Sequence, residues 1–293
     1  MIRFNLPRER LYFITLVILI LGTVFLRFYS IDKQGFWQDE AVTIDESNRG
    51  VNEIIDVVKD KEAVPPLYFI ILSKWMKTFG LTEFSTRFLS ALFGILIFVI
   101  CFFIFRNLTN KDEIVLLSLA LVTLFITETV YSQLARYYTF FNFFVLLSTY
   151  FLIKIVKNNF VRAHKYFYTI SSIVMVFSSY IGYFVLMMHL FVILFFERAT
   201  KLKFKLTRII QMFTFLLGVI WSPYILKQYL AANESVREVF LGFGFPTFVA
   251  KLGYIFLILP GIIIFLICIY VYYRIGKNKI PKINLTDWQF SLL

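Results

Sequence analysis

Asp39 and Glu40 stand side by side in the stretch Phe36-Trp37-Gln38-Asp39-Glu40-Ala41-Val42-Thr43, just beyond the first long apolar run of the chain. A carboxylate at a membrane surface can take a proton from a hydroxyl or bind a hard cation. Acids so near a bilayer are costly unless they are used, which marks the pair as a candidate site. The competing reading is a helix start, with the acids at its N-terminal turn and Trp37 in the aromatic belt.

A second set of polar groups follows in Thr127-Glu128-Thr129-Val130-Tyr131-Ser132-Gln133-Leu134-Ala135-Arg136-Tyr137-Tyr138. Glu128 and Arg136 flank one short turn between two apolar runs. The acid can reach water or pair with Arg136, whereas a guanidinium beside two tyrosines suits a phosphate headgroup. His189 falls inside an apolar run, where a hydrogen bond to a neighbouring helix is the expected role, and His164 falls in a basic loop. Cys101 and Cys268 both lie in apolar runs and offer neither a disulfide framework nor a cysteine-rich metal site. No glycine-rich phosphate cradle or Ser/His/Asp order is present.

The elements that must position these groups are membrane spans. Of the 293 residues, 59% are hydrophobic and 16% charged, more apolar surface than a soluble domain of this length can hide. Spans are expected at 11–28, 86–105, 114–130, 138–155, 209–226 and 252–273, with a short hairpin within 166–196 turning near Ser179-Tyr180. That gives about eight. The loop at 29–64 is rich in acids, and Val51, Ile54, Ile55 and Val58 recur at helical spacing, which predicts an amphipathic helix lying on the membrane. The run 65–79 covers only about 22 Å against a hydrocarbon core of roughly 30 Å, so it is expected to be interfacial or re-entrant.

Charge tests this arrangement. With 65–79 kept out of the count and the N-terminus cytoplasmic, 18 of the 30 basic residues and 5 of the 18 acids fall on the cytoplasmic side, among them Arg106, Lys111, Lys154, Lys157, Arg198 and Arg208. This is the positive-inside pattern, and making 65–79 a span would reverse it for every later loop. The net charge of +12 thus sets topology and meets anionic lipid; it does not read nucleic acid. Residues 284–293 open a new apolar run after a basic loop and then stop, so a C-terminal truncation is expected of this single membrane domain, 1–293.

At this point the ordered pattern resembles a family. Trp37, Asp39 and Glu40 follow a first span; Pro65-Pro66-Leu67-Tyr68, Phe79-Gly80, Glu83 and Arg87-Phe88 come next, and Ser132-Gln133-Leu134-Ala135-Arg136-Tyr137 follows the third span. Together they are similar to the polyprenyl-phosphate-sugar glycosyltransferases of the GT-C fold, the group containing protein O-mannosyltransferases and the lipid A aminoarabinose transferase. Two departures stand out: Val64 occupies the place where relatives often carry His or Lys, and the further spans and outer C-terminal domain usual in the family are missing.

The resemblance implies an all-α polytopic bundle with interfacial helices in the first outer loop (29–84). It implies inverting transfer of a sugar from a polyprenyl-phosphate donor to a lipid, glycan or protein acceptor on the extracytoplasmic face of a bacterial or archaeal cell membrane. Asp39 is expected to be the general base, with Glu40 and Glu128 as further catalytic carboxylates. Arg136, Tyr137, Lys61, Pro66, Tyr68 and Arg87 are expected to bind substrate, Lys227 being a further candidate for the phosphate. A divalent cation shared by Asp39 and Glu128 is left open as the one candidate cofactor. The alternative is a transporter or lipid flippase that uses Asp39, Glu40, Glu128 and His189 as relay groups, although such sites belong near the midplane of repeated halves.

Overall fold

A computed structural model describes residues 8–62, 64–157, 161–200 and 204–219; the expected span at 252–273, the end of that at 209–226, the run 284–293, Cys268 and Lys227 lie outside them. Among the described residues all regular structure is helical, as expected. The helices are α1 (Arg8–Phe28), α2 (Gln38–Ser47), α3 (Val51–Lys61), α4 (Leu67–Phe79), α5 (Glu83–Leu108), α6 (Asp112–Leu124), α7 (Ile126–Ser132), α8 (Tyr138–Lys157), α9 (Arg162–Ser178), α10 (Ile181–Thr200) and α11 (Lys205–Val219). Four of them, α1, α5, α8 and α10, are long and apolar enough to cross a membrane, and α6 with α7 makes a fifth if the bent pair is one span. The hairpin expected within 166–196 is present as α9 and α10, parted at Ser179-Tyr180.

Helix ends show which elements change sides. Arg87, one turn into α5, bonds to the carbonyl of Ile31 just after α1, and Gln133, just after α7, bonds to the carbonyls of Leu26 and Tyr29. The end of α1, the start of α5 and the end of α7 therefore share one end of the bundle, and α2, α3 and α4 do not cross it. At the opposite end Arg106 pairs with Asp112 at 2.7 Å and Arg8 with Glu113, which gathers basic residues there.

The 13 residues of α4 are too few to span. They bury Tyr68, Phe69, Leu72, Ser73 and Met76 along one face, and the α2, α4, α5 and α8 core closes over them with Ile44, Leu89, Ala135 and Phe140. Gly80 ends α4 at φ +87°, a left-handed backbone that a side chain would strain. Thr82 then caps α5 by accepting from the Ser85 N–H at 3.1 Å, and Trp75 of α4 donates to the Ser85 carbonyl at 2.8 Å.

Two features differ from the sequence expectation. The apolar face of α3 is only partly free for lipid: Ile54 and Val58 are buried against Val64 and Phe69, with Ile70 and Tyr137 beside them, while Val51 stays exposed. The span expected at 114–130 is broken at Phe125, where α6 and α7 meet at 54°. No proline or glycine marks the break, so the cause is tertiary. Thr123 meets Thr23 of α1 at 2.9 Å, while α7 turns inward to seat Glu128 and Ser132.

Gly94 of α5 is where α1, α5 and α7 approach. A Cβ built there would lie 2.8 Å from Ser132 Cβ and 2.9 Å from Nε of Arg27, which is completely buried. Gly94→Ala is expected to lower stability by about 1–3 kcal/mol through overpacking, despite alanine's better helix propensity. Thermal unfolding in detergent measures it, and an unchanged or raised midpoint would contradict the close approach.

Candidate active site

Glu40 lies in the first turn of α2, and its carboxylate is buried and completely engaged. Oε1 accepts from Arg87 Nε at 2.9 Å and from the Ala135 N–H at 2.8 Å; Oε2 accepts from Arg87 Nη2 at 2.7 Å and from the Trp37 N–H at 3.0 Å. Arg87 is equally complete. Its remaining donors reach the carbonyls of Ile31 at 2.7 Å, Gln34 at 2.8 Å and Gly35 at 3.0 Å, so all five N–H groups are used, and its guanidinium lies over the Phe36 ring. Burial alone would raise the Glu40 pKa, but the bonds from Arg87 and the two backbone amides outweigh it and hold the carboxyl below its ordinary range. The pair leaves no free donor for a phosphate and no lone pair for an acceptor or a cation.

Asp39 is different. It is exposed, one position earlier in the same turn. Its main-chain carbonyl accepts from Arg136 Nη1 at 3.2 Å and from Thr43 Oγ1 at 2.9 Å, and Arg136 also donates to Thr43 Oγ1. The Arg136 guanidinium sits 5.8 Å from the ring centres of Tyr137 and Tyr138, and its Nε is buried with no partner. Burial would lower the Arg136 pKa, but Glu62, Tyr138 and Asp39 more than compensate and keep it firmly charged. Burial pushes the Tyr137 hydroxyl up to about 12.

Glu62, which the sequence reading did not single out, is a further acid whose charge acts on Arg136. It caps the end of α3, three residues before Pro65, and is half-buried. Its pKa is raised by burial and by the nearby Asp39 charge, against the pull of Arg136. A polar residue where an amphipathic helix meets the Pro-Pro turn was the one available signal.

The expectation also covers Pro66, Tyr68, Lys61 and Glu128. Pro66 and Tyr68 are buried, Tyr68 with its hydroxyl 3.3 Å from Ser90 Oγ and its ring against Phe140. Lys61 ends α3. Glu128 is buried on α7, accepting from Asn142 Nδ2 at 3.1 Å while its Oε1 is buried without a partner. It lines a pocket of about 320 Å³ with Ile97, Cys101, Leu121, Val122, Phe125 and Leu146. Arg27 shares this interior, with Nε and Nη2 unpartnered; it too went unmarked in the sequence. Among the described residues no group of three or more His, Cys, Asp or Glu could hold a metal ion. His189 is engaged by Thr149 at 3.1 Å and Tyr168 at 3.2 Å, which ties α8, α9 and α10 together as expected.

Removing the Glu40 charge alone leaves Arg87 buried and unneutralised. Glu40→Gln is expected to cost about 3–5 kcal/mol at neutral pH. Because the folded carboxyl titrates below its unfolded value, this contribution is complete above the ordinary carboxylate range and is lost as pH falls through the folded value. Denaturant unfolding of wild type and variant across pH 3–7 measures the convergence; a gap that stays constant to pH 3 would contradict it.

No curated protein matches the chain. Residues 63–226, more than half of it, match the dolichyl-phosphate-mannose-protein mannosyltransferase family, whose members are membrane enzymes that draw a sugar from a polyprenyl-phosphate donor. With apolar helices of spanning length and this match, the chain belongs to that family and is an integral-membrane glycosyltransferase.

Proposed function

We propose that the chain transfers a sugar from a polyprenyl-phosphate donor to an acceptor hydroxyl at the extracytoplasmic surface, with Asp39 as general base. The observation that carries this reading is the contrast within one helical turn. Glu40 is locked by four donors, whereas the neighbouring carboxylate is exposed and has a charged guanidinium anchored to its own main chain.

The chemistry follows from those positions. The acceptor hydroxyl attacks the anomeric carbon from the face opposite the phosphate while Asp39 takes its proton. The bond from the anomeric carbon to the phosphate oxygen breaks, the electron pair stays on that oxygen, and the configuration inverts. Arg136, backed by Tyr137, neutralises the charge that develops on the leaving phosphate. Holding the lipid phosphate and the acceptor at one interface supplies much of the remaining acceleration. Glu40 and Arg87 act as positioning residues that fix the backbone carrying Asp39. The basic residues at the opposite end of the bundle support a cytoplasmic location for that end.

Asp39→Asn is expected to reduce transfer from polyprenyl-phosphate mannose by about 10²–10⁴-fold in proteoliposomes. Because Asp39 is exposed, stability should change by no more than about 0.5 kcal/mol. Undiminished transfer by the folded variant would remove Asp39 from the base role.

A further inference from the structure

Glu128 has no place in the transfer step, yet it is the one charged side chain lining the pocket of about 320 Å³ between α5, α6 and α8. The residue is only 8% exposed. Its Oε2 accepts from Asn142 Nδ2 at 3.1 Å, whereas Oε1 is buried with no partner. The Cys101 thiol, the other polar group of the lining, is a weak donor. Arg27 stands one turn of α5 nearer the outer end: its Nε lies 2.9 Å from a Cβ built at Gly94, while Ile97 and Cys101 line the pocket.

Two of the lining residues, Leu121 and Phe125, are 66% and 60% exposed, so the pocket is a cleft in the flank of the bundle. Arg87 marks the outer end of α5, and Ile97 and Cys101 stand about 15 and 21 Å further along that helix. In a hydrocarbon core of roughly 30 Å this is the middle of the bilayer, and whatever fills the cleft enters sideways from lipid. A charged headgroup is too costly at that depth. A plain acyl chain satisfies the apolar walls but leaves Oε1 a buried acceptor without a donor. An apolar chain that carries one hydroxyl satisfies both.

We propose that this cleft is a binding site for a neutral lipid alcohol, whose hydroxyl donates to Glu128 Oε1 while its chain lies against Ile97, Leu121 and Leu146. The site is separate from Asp39 and Arg136, and it stands or falls independently of the transfer reaction.

Photolabelling tests it. The purified full chain in nanodiscs of neutral phospholipid is irradiated with hexadecanol that carries a diazirine near its hydroxyl end, and in parallel with the methyl ether of the same probe, which cannot donate. Labelled residues are mapped by mass spectrometry. The alcohol is expected to label the cleft residues of α5, α6 and α8 about tenfold more than the ether. Partitioning alone favours the ether at this depth, so a preference for the alcohol reads the hydrogen bond. Glu128→Leu should bring the two probes to the same level, and Leu121→Trp, a change at a lipid-facing position that fills the cleft, should lower both. Should Glu128→Leu fail to fold, the wild-type ratio and Leu121→Trp decide the matter by themselves. Equal labelling by alcohol and ether in the wild type would reduce the cleft to a groove for any hydrocarbon chain and overturn the proposal. Labelling that avoids the cleft, or that Leu121→Trp leaves unchanged, would overturn it as well.

Discussion

Glu40 and Arg87 answer each other's hydrogen-bonding capacity almost atom for atom, and much of the site end of the bundle is arranged around that pair. Four donors converge on one carboxylate from three parts of the chain: Trp37 at the start of α2, Arg87 in α5 and Ala135 in the segment before α8. The other donors of Arg87 hold the carbonyls of Ile31, Gln34 and Gly35, which turn the chain from α1 into α2. A buried ion pair is weak evidence for stability, since desolvation offsets much of the attraction. Its value here is geometric. With every lone pair and every N–H used, the alternatives all leave a buried charge unsatisfied, so the backbone around residues 31–40 has one low-energy arrangement.

That arrangement separates two adjacent carboxylates into different environments. The helical turn points Glu40 into the protein and leaves Asp39 at the surface. Neighbours in sequence on a helix do not share a face, so the pair cannot act as a carboxylate dyad. The segment at 133–136 is held just as firmly. Gln133 grips the end of α1, Ala135 donates to Glu40, and Arg136 reaches the Asp39 carbonyl. An exposed acid and a held cation on a rigid frame are the arrangement that the proposed transfer calls for, in which the reacting groups stay available while their supports do not move.

Much of this was legible in the sequence. Hydropathy located α1, α5, α8 and the α9–α10 hairpin, and the shortness of 65–79 together with the charge asymmetry kept α4 out of the span count. The order of Asp39-Glu40, Pro65-Pro66, Arg87 and the 132–137 segment pointed to the family. What stayed hidden has a common physical cause: it depends on partners distant in the chain. Glu40 and Arg87 are 47 residues apart, and nothing local says that the second acid turns inward. Ile54 and Val58 read as a lipid-facing stripe because α4, which covers them, is invisible to a periodicity argument. The break at Phe125 lacks the usual glycine or proline. Arg27, at the end of an apolar run where such a side chain would ordinarily reach for water, is instead enclosed against Gly94 and Ser132.

The extent of the family match bears on which parts of the site it constrains. It begins at residue 63, beyond Asp39, Glu40 and Glu62, yet it contains Arg87, Ala135 and Arg136, the residues that hold the α2 turn in place. Membership in the family therefore speaks for the receiving frame more directly than for the acid set into it. The link between them is the Glu40 carboxylate, because it is the group through which α5 and the segment before α8 both grip the turn that carries Asp39. A frame that holds Glu40 by three backbone and guanidinium partners fixes its sequence neighbour as well, since one peptide unit separates them. Asp39 thus needs no side-chain contact of its own to be placed, which leaves its carboxylate open to water and to an approaching hydroxyl.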